Sequence, residues 1–233
     1  MSRGVALVTG AGTGIGRSVA VALARADYAM VLAGRRKAQL EQTAVEAGGA
    51  TLALVADVTQ PGSVEALFAE IKSRFGRLDL LFNNAGIATA PVGIDELSVE
   101  DWRATIDTNL TGTFLCTRAA FRLMKSQQPP GGRIINNGSL SATTPRPEMV
   151  AYTASKHGVS GVTKATALKD GSTTSHAARS ISVTRELRSA HPFSKVRSRR
   201  MVRAPPSRPW TSRTSPMPSF IWPDYRSMRM CCS

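Results

Sequence analysis

The feature that most constrains this chain is the segment TGAGTGIG at residues 9–16. It ends a short apolar run rich in β-formers (VALVTG, 5–10) and opens a stretch with apolar residues at helical spacing (16–28). Between a strand and a helix, glycines permit a tight turn and let the backbone approach a pyrophosphate, here at Gly10, Gly14 and Gly16. Free N–H groups at the start of the helix attract the anion. The context therefore favours a phosphate-binding loop over a plain glycine-rich turn.

Strand-like and helix-like segments alternate along the first 170 residues. After the first pair, strands are predicted at 29–35, 50–58, 78–86 (a strand with its following loop) and 132–139, and helices at 36–47, 61–75, 99–127 and 149–169. This alternation predicts an α/β fold with a doubly wound parallel sheet, the Rossmann fold. After Lys169 the alternation stops. Short apolar patches remain, but no sixth or seventh strand is assigned, so the C-terminal strands are expected to be missing or replaced by an irregular tail.

The charge of the chain is concentrated at its C-terminal end. The 233 residues carry a net charge of +14. Residues 1–170 hold 18 basic and 14 acidic side chains, whereas residues 171–233 hold 12 and 2. We therefore predict two regions: a dinucleotide-binding and catalytic domain at 1–170, and a basic tail rich in Pro, Ser and Arg at 171–233. The stretch SRRMVRAPPSRPWTSRTSP (198–216) is typical of the tail and shows no helical or strand period.

A tyrosine and a lysine lie four residues apart in the last predicted helix. At this spacing Tyr152 and Lys156 share one helix face. Reduction of a ketone requires a proton for the carbonyl oxygen, and a tyrosine with an ordinary pKa of ~10 is poorly suited to exchange it at neutral pH. A nearby ammonium group favours tyrosinate and lowers that pKa. The pair is a candidate acid/base site.

Three motifs together, TGAGTGIG, NNAG (83–86) and YTASK (152–156), resemble those of the short-chain dehydrogenase/reductase family. The resemblance covers residues 4–170. It implies an NAD(P)-dependent oxidoreductase that interconverts a carbonyl and an alcohol by hydride transfer. Tyr152 would be the general acid/base, and Lys156 would lower its pKa and bind the nicotinamide ribose. Ser139 would bond the substrate oxygen, with Ser141 as the competing candidate, and Asn109 would hold a water that relays protons. An ordinary buried asparagine is the alternative at Asn109.

The end of the second predicted strand indicates which cofactor is used. An NAD-dependent enzyme usually has an acidic residue here to bind the ribose 2′-hydroxyl. This chain has AGRRK (33–37) instead, and an arginine can bind a 2′-phosphate through two hydrogen bonds. We therefore predict NADP rather than NAD, with Arg35 and Arg36 on the phosphate and Arg17 as a possible helper. The alternative is that these are solvated charges at a helix start.

Further cofactor contacts follow from the resemblance. In the phosphate loop, Thr13 and Ile15 are expected to join the three glycines. Asp57 and Val58, after the third strand, match the pair that contacts the adenine. The wall near the adenine ribose is expected to contain Asn84, Ala85 and Gly86. For Asn83 and Asn84 a structural role in the turn is equally plausible.

Other classes of protein find little support. The N-terminus has no apolar signal region and no apolar run approaches ~18 residues, so we expect a cytoplasmic protein without membrane contact. Cys116 is expected to be a buried thiol, and His157, His176 and His191 show no metal-ligand spacing. A small alcohol or ketone is the expected substrate. A homodimer or homotetramer through the helices that carry Asn109 and Tyr152 is the expected assembly.

The tail admits two interpretations. The first is a nucleotide-binding protein with a basic, nucleic-acid-binding tail, but the tail has no recognised motif and nucleic acid is not expected. The second is a change of reading frame (+2, equivalently −1) near Gly171–Ser172, which would leave an inactive or poorly folded product. Suitable codons for the segments 172–184 and 221–232, read in that frame, give DHIACGQIDIGN and LAGLPLDANVL. Both strings resemble later segments of the family.

Overall fold

The computed structural model describes residues 3–168 and a strand at 179–183. Five βα units alternate before the last strand, and the doubly wound parallel architecture predicted from the sequence is confirmed. The strands are β1 Gly4–Thr9, β2 Tyr28–Gly34, β3 Thr51–Val55, β4 Leu80–Asn83, β5 Arg133–Asn137 and β6 Arg179–Val183. The helices are α1 Gly14–Arg25, α2 Lys37–Ala47, α3 Pro61–Phe75, α4 Val99–Ile106, α5 Gly112–Ser126 and α6 Val150–Leu168.

All strand pairs are parallel, and the order across the sheet is β3-β2-β1-β4-β5-β6. The chain moves outward from β1 to β3 and then returns to the other side of β1 with β4. The strand order thus reverses between β1 and β4. In open α/β sheets, ligands bind beyond the carboxyl ends of the strands at such a switch point.

The buried side chains form one apolar cluster on each face of the sheet. Alternation along β1 sends Val5 and Leu7 to the cluster that includes α3 and α5, and Ala6 and Val8 to the cluster that includes α1 and α2. Such burial on both faces explains why the central strands read as continuous apolar runs rather than as alternating ones.

Local sequence signals account for several helix ends. Helix α3 starts at Pro61, whose missing N–H costs nothing in the first turn, and ends before Gly76 in the left-handed conformation (φ 68°). Helix α4 starts after Ser98, whose hydroxyl accepts a hydrogen bond from the Asp101 N–H at 3.0 Å.

The structure differs from the sequence analysis in two elements. The single helix predicted at 99–127 is divided by a π-helical turn at Asp107–Thr111, which contains Asn109. In addition, Arg179–Val183 forms β6 beside β5, with Ile181 opposite Ile135, whereas the sequence predicts no sixth strand. Five residues with only two apolar side chains gave no clear period, whereas the open edge of β5 offers any extended segment a row of backbone partners. A seventh strand is absent from the described residues, and the basic stretch 198–216 lies outside them.

Candidate active site

The loop between β1 and α1 brings backbone close to backbone. Gly10 and Gly14 adopt positive φ angles of 63° and 55°. A Cβ at Gly16 would lie 2.2 Å from the carbonyl oxygen of Gly10, so no side chain fits at that position. The glycines predicted from the sequence are therefore required by the geometry of this turn.

The start of helix α1 is open to an anion. Thr13 is the N-cap residue, but its side chain makes no capping hydrogen bond, and the first turn contains no acidic residue. The first backbone N–H groups of a helix have no partner within it and carry a partial positive charge. Thr13 and Ile15 lie in the wall of a cleft at this point, where these N–H groups can meet a phosphate.

The end of strand β2 contributes two arginines to the same cleft. Arg35 and Arg36 are exposed, and a guanidinium nitrogen of Arg36 lies 3.4 Å from the hydroxyl of Thr13. Arg17, considered as a helper, is already engaged: its guanidinium bonds the carbonyl of Gly12 at 2.7 Å and the carboxylate of Glu46 at 3.0 Å. Of the three, Arg35 and Arg36 line the cleft.

The ends of β3 and β4 form the middle of the cleft. Asp57 and Val58 lie in its wall, and the Asp57 carboxylate accepts hydrogen bonds from the N–H and the hydroxyl of Thr59. Asn84, Ala85 and Gly86 follow β4 and also line the cleft.

Asn84 has a clear structural role. Its side-chain amide donates to the carbonyls of Thr9 and Gly10 at 3.1 and 3.2 Å. The buried hydroxyl of Thr9 accepts hydrogen bonds from the N–H groups of Asn84 and Ala85. The turn after β4 is thus bonded directly to the phosphate loop, which fixes the floor of the cleft.

Lys156 and Tyr152 project from α6 into the far end of the cleft. The Lys156 side chain is buried, and its Nζ donates to the carbonyl oxygen of Asn137 at 2.8 Å. Nζ lies 5.6 Å from the centre of the Tyr152 ring. Burial lowers the pKa of Lys156 to about 8. The structure therefore brings the predicted pair together, and the pKa of Lys156 lies close to neutral pH.

Two other predicted residues, Ser139 and Asn109, do not line the cleft. The Ser139 hydroxyl accepts a hydrogen bond from the Ser141 N–H at 3.1 Å, at the start of a 3₁₀ turn. Ser141 itself is buried, and its hydroxyl has no hydrogen-bond partner among the described residues.

The side chain of Asn109 makes three hydrogen bonds. Its Oδ1 accepts from the Ile87 N–H at 2.8 Å, and its Nδ2 donates to the Ile87 carbonyl at 2.9 Å and to the Ser155 hydroxyl at 3.0 Å. These bonds hold the loop after β4 against α6, one residue from Lys156. The side chain thus positions the wall of the cleft.

The cleft has a volume of about 460 Å³ and runs from the phosphate loop to Tyr152. Among the residues of its wall that sequence reasoning missed are Ile87, Ala88, Thr108 and Asn137. One signal was available for Asn137, because an Asn-Asn dipeptide occurs where both strands end: Asn83 is the last residue of β4 and Asn84 follows it, and Asn136 and Asn137 are the last two residues of β5. The other three are ordinary loop and helix residues that carry no such signal.

Other predicted features concern cysteine, metal and membrane. Cys116 is buried, which raises the pKa of its thiol to about 12. Within residues 3–168 and 179–183, no cluster of His, Cys, Asp or Glu has the arrangement of a metal site. His176 and His191 lie outside the described residues. Among the described helices, none is long and apolar enough to cross a membrane.

Comparisons with known proteins agree with this geometry. The family profile described as short chain dehydrogenase matches residues 4–178. A 3beta-hydroxysteroid dehydrogenase of Mediterraneibacter gnavus is 44% identical over 167 residues, which are 70% of this chain and 59% of that protein. A 3-oxoacyl-[acyl-carrier-protein] reductase of Synechocystis is 40% identical over 167 residues, 70% of this chain and 66% of its own length. The chain thus spans about three fifths to two thirds of these relatives.

Solved structures show the same similarity. A 3-ketoacyl-(acyl-carrier-protein) reductase of Brucella melitensis, complexed with NADH, has a TM-score of 0.70 and 35% identity. The match covers 72% of this chain and 70% of that one. Actinorhodin polyketide ketoreductase with NADPH has a TM-score of 0.68 and 35% identity, over 72% and 67% of the two chains. On the family profile, these relatives and the shared fold, the chain belongs to the short-chain dehydrogenase/reductase family.

Proposed function

We propose that this chain is an NADP-dependent oxidoreductase that interconverts a carbonyl and an alcohol. The observation that carries the proposal is that Tyr152 and the buried Lys156 share one cleft with a phosphate-binding loop. Two of the relatives, a hydroxysteroid dehydrogenase and an acyl-carrier-protein reductase, are named for activities of this reaction class.

The residues of the cleft fit a dinucleotide. The uncapped N-terminus of α1 suits the pyrophosphate, and the close approach at Gly16 leaves that backbone free of side chains. Asp57 and Val58 would meet the adenine, and Asn84, Ala85 and Gly86 the adjacent ribose. When bound, the cofactor supplies the hydride.

The chain's own residues supply proton transfer and orientation. In the direction of reduction, the Tyr152 hydroxyl donates its proton to the carbonyl oxygen. The Lys156 ammonium stabilises the tyrosinate that remains. Because Lys156 is buried, its charge attracts the tyrosinate more strongly than it would in water. Ser139 does not line the cleft, but it stands two residues after Asn137, which does. Its oxygen accepts a bond from the Ser141 N–H, and we propose that its own O–H donates to a substrate oxygen placed beside Tyr152.

We assign Asn109 a positioning role, because its side chain is bonded to Ile87 and Ser155. The water relay expected from the family is compatible with these bonds, since the Oδ1 atom accepts one hydrogen bond and keeps a second lone pair for a water.

The test of activity is carbonyl reduction by the purified chain. Incubation with NADPH and a set of cyclic, aliphatic and acyl-thioester ketones should consume the cofactor and yield an alcohol that carries the cofactor's hydride. Binding of NADPH without turnover of any carbonyl would contradict the proposed reaction and favour the inactive product considered from the sequence.

The preference for NADP rests on Arg35 and Arg36, which lie at the end of β2 beside the start of α1. No carboxylate stands in residues 33–37 to repel a 2′-phosphate. The double variant Arg35→Ala/Arg36→Ala should bind NADPH at least about tenfold more weakly than the unaltered chain does. Its affinity for NADH should equal that of the unaltered chain. Lys37→Ala, the neighbouring base outside the cleft, is the matched control and should change neither affinity. Equal binding of NADH and NADPH by the unaltered chain would contradict the preference.

We further propose a small alcohol or ketone as substrate and a homodimer or homotetramer as the assembly. The assembly would use the helices that carry Asn109 and Tyr152. It is supported by apolar side chains exposed on α4 and α5: Val99, Trp102 and Phe114. Light scattering should report a dimer or tetramer that Phe114→Glu dissociates. A monomeric unaltered chain would contradict this assembly.

A further inference from the structure

Two pairs of asparagines stand side by side at the ends of β4 and β5. The strand register places Asn83 opposite Asn136, so the next residues, Asn84 and Asn137, are also neighbours. The first pair is buried, and Asn83 donates to the Asn136 side chain at 2.9 Å. In the second pair, the Asn137 amide donates to the Asn84 Oδ1 at 3.0 Å. Successive residues of a strand point to opposite faces, so the second pair lies on the face opposite the first.

The carbonyl oxygen of Asn137 also accepts the hydrogen bond from the Lys156 ammonium. The Nζ of Lys156 lies 2.8 Å from the Asn137 oxygen, and this is its only hydrogen bond within the described part of the chain. Asn84 in turn donates to the carbonyls of Thr9 and Gly10. A continuous series of hydrogen bonds therefore runs from Lys156 through Asn137 and Asn84 to the phosphate loop.

We propose that Asn137 is a positioning residue, whose side-chain amide fixes the peptide that holds the Lys156 ammonium and ties it to the phosphate loop. The inference concerns the position of the lysine, and its importance for catalysis rests on the proposed function. A leucine at 137 would fill a similar volume at the strand end. It would remove the hydrogen bond that the Asn137 side chain donates to the Asn84 Oδ1. The peptide whose carbonyl binds Lys156 would then no longer be held by that side chain.

The surroundings of Lys156 make this single carbonyl important. No carboxylate of the described residues lies within 4 Å of its Nζ. The other titratable side chains that line the cleft are Asp57, Tyr152, Arg35 and Arg36. Burial disfavours the ammonium, whereas a fixed carbonyl acceptor favours it. If that acceptor is less well fixed, the ammonium form of Lys156 should be less stable and its pKa should fall.

The experiment measures the titration of Lys156 in the full chain, without cofactor or substrate. The rate of acylation of Lys156 by an amine-reactive reagent is followed by mass spectrometry as a function of pH, since only the neutral amine reacts. In Asn137→Leu the pKa of Lys156 should fall by about half a unit or more relative to the unaltered chain. Asn137→Thr, which suits a strand end but does not reach Asn84, is the second variant and should give the same direction.

The control is Gln127→Leu. Gln127 is also buried and bonds the backbone of Leu78 and Gly131, at the opposite end of the sheet. This variant should lose stability and leave the titration of Lys156 unchanged. A pKa of Lys156 equal to or above that of the unaltered chain, in whichever Asn137 variant keeps its circular dichroism spectrum, would overturn the inference. Because no turnover is required, this result is independent of whether the proposed oxidoreductase activity is found.

Discussion

The residue on which the proposed reaction depends most is Tyr152. Removal of its hydroxyl in Tyr152→Phe leaves the ring and its contact with Lys156 in place, but no proton donor. General acid catalysis typically contributes ~10²–10⁴-fold to a rate, so we expect carbonyl reduction to fall by at least ~100-fold. NADPH affinity, measured by fluorescence titration, should change by less than ~3-fold. A variant that retains most of its activity would exclude Tyr152 as the acid/base.

Lys156 should reduce the stability of the fold. Its pKa is lowered from 10.5 to about 8, so the folded state retains the ammonium less readily than the unfolded state does. At pH 7 both states are protonated and the full cost is present. One pKa unit corresponds to ~1.4 kcal/mol, and Lys156→Met should therefore raise the free energy of unfolding at pH 7 by on the order of 1–3 kcal/mol.

The pH dependence of this difference has a definite sign. Between pH 8 and 10.5 the unfolded chain binds the proton that the folded chain has released, so the unaltered protein gains stability as pH rises. The advantage of Lys156→Met, followed by urea unfolding, should be largest at pH 7 and shrink towards pH 10. An advantage that grows with pH would contradict the lowered pKa.

At the scale of single residues, the sequence was informative where contacts are local. The four-residue spacing of Tyr152 and Lys156 places them on one helix face without knowledge of the fold. The bond between Asn137 and Asn84 depends on the register of two strands separated by more than fifty residues, and a single sequence does not specify that register. The repeated Asn-Asn dipeptide acquires meaning only once β4 and β5 are paired.

Among the elements, the turn from β1 into α1 is the most tightly determined. Gly16→Ala would place a methyl group against the Gly10 carbonyl, so the turn must open. We expect a loss of NADPH binding of at least ~100-fold and a lower melting temperature. Gly62→Ala is the matched control, because a Cβ at this position in α3 meets no atom within 4 Å. Wild-type binding by Gly16→Ala would show that this loop does not hold the cofactor.

At the amino end of the sheet, an ion pair in the loop before β4 is hydrogen-bonded to strand β1. Arg77 bonds both carboxylate oxygens of Asp79, and Asp79 accepts the N–H of Val5 at 2.8 Å. Partial burial alone would raise the pKa of Asp79, but the hydrogen bonds from Arg77 and Val5 outweigh it, and the pKa lies below its ordinary value. Asp79→Asn should lower the free energy of unfolding at neutral pH by about 1–2 kcal/mol.

Because the folded-state pKa of Asp79 is lowered, its contribution is present above the ordinary value of 3.8 and is lost as pH falls through the lowered value. The difference between Asp79→Asn and the unaltered chain should therefore disappear in acid. Glu41→Gln removes a carboxylate from an exposed pair with Lys37 and should change stability by less than ~0.5 kcal/mol at any pH. Equal effects of the two substitutions would contradict this account.

The sequence predicted five strands and their helices because each is an apolar run of adequate length between turn signals. It did not predict β6, which is short and carries Arg179 and Ser180 among its five residues. It also did not predict the π-helical turn at Asp107–Thr111, since the apolar period continues through it. Both features arise from tertiary contacts: an open sheet edge in one case, and the bonds of Asn109 to Ile87 and Ser155 in the other.

For the molecule as a whole, the described residues contain the proposed cofactor cleft and the proposed catalytic pair. The predicted division at residue 170 and the change of reading frame concern mainly residues outside the described part and remain predictions. The coding DNA across codons 165–180 tests the frame hypothesis. An alternative frame that continues with DHIACGQIDIGN would support it, and early stop codons there would contradict it.

In the proposed enzyme, one cleft holds both the cofactor and the catalytic lysine. The most direct measurement titrates the full chain with NADPH, following cofactor fluorescence and the acylation of Lys156 in the same samples. We predict saturable binding of one NADPH per chain, tighter than that of NADH, with Lys156 protected over the same range of concentration. Saturable binding that leaves Lys156 as reactive as before, or no saturable binding of either cofactor, would contradict the claim.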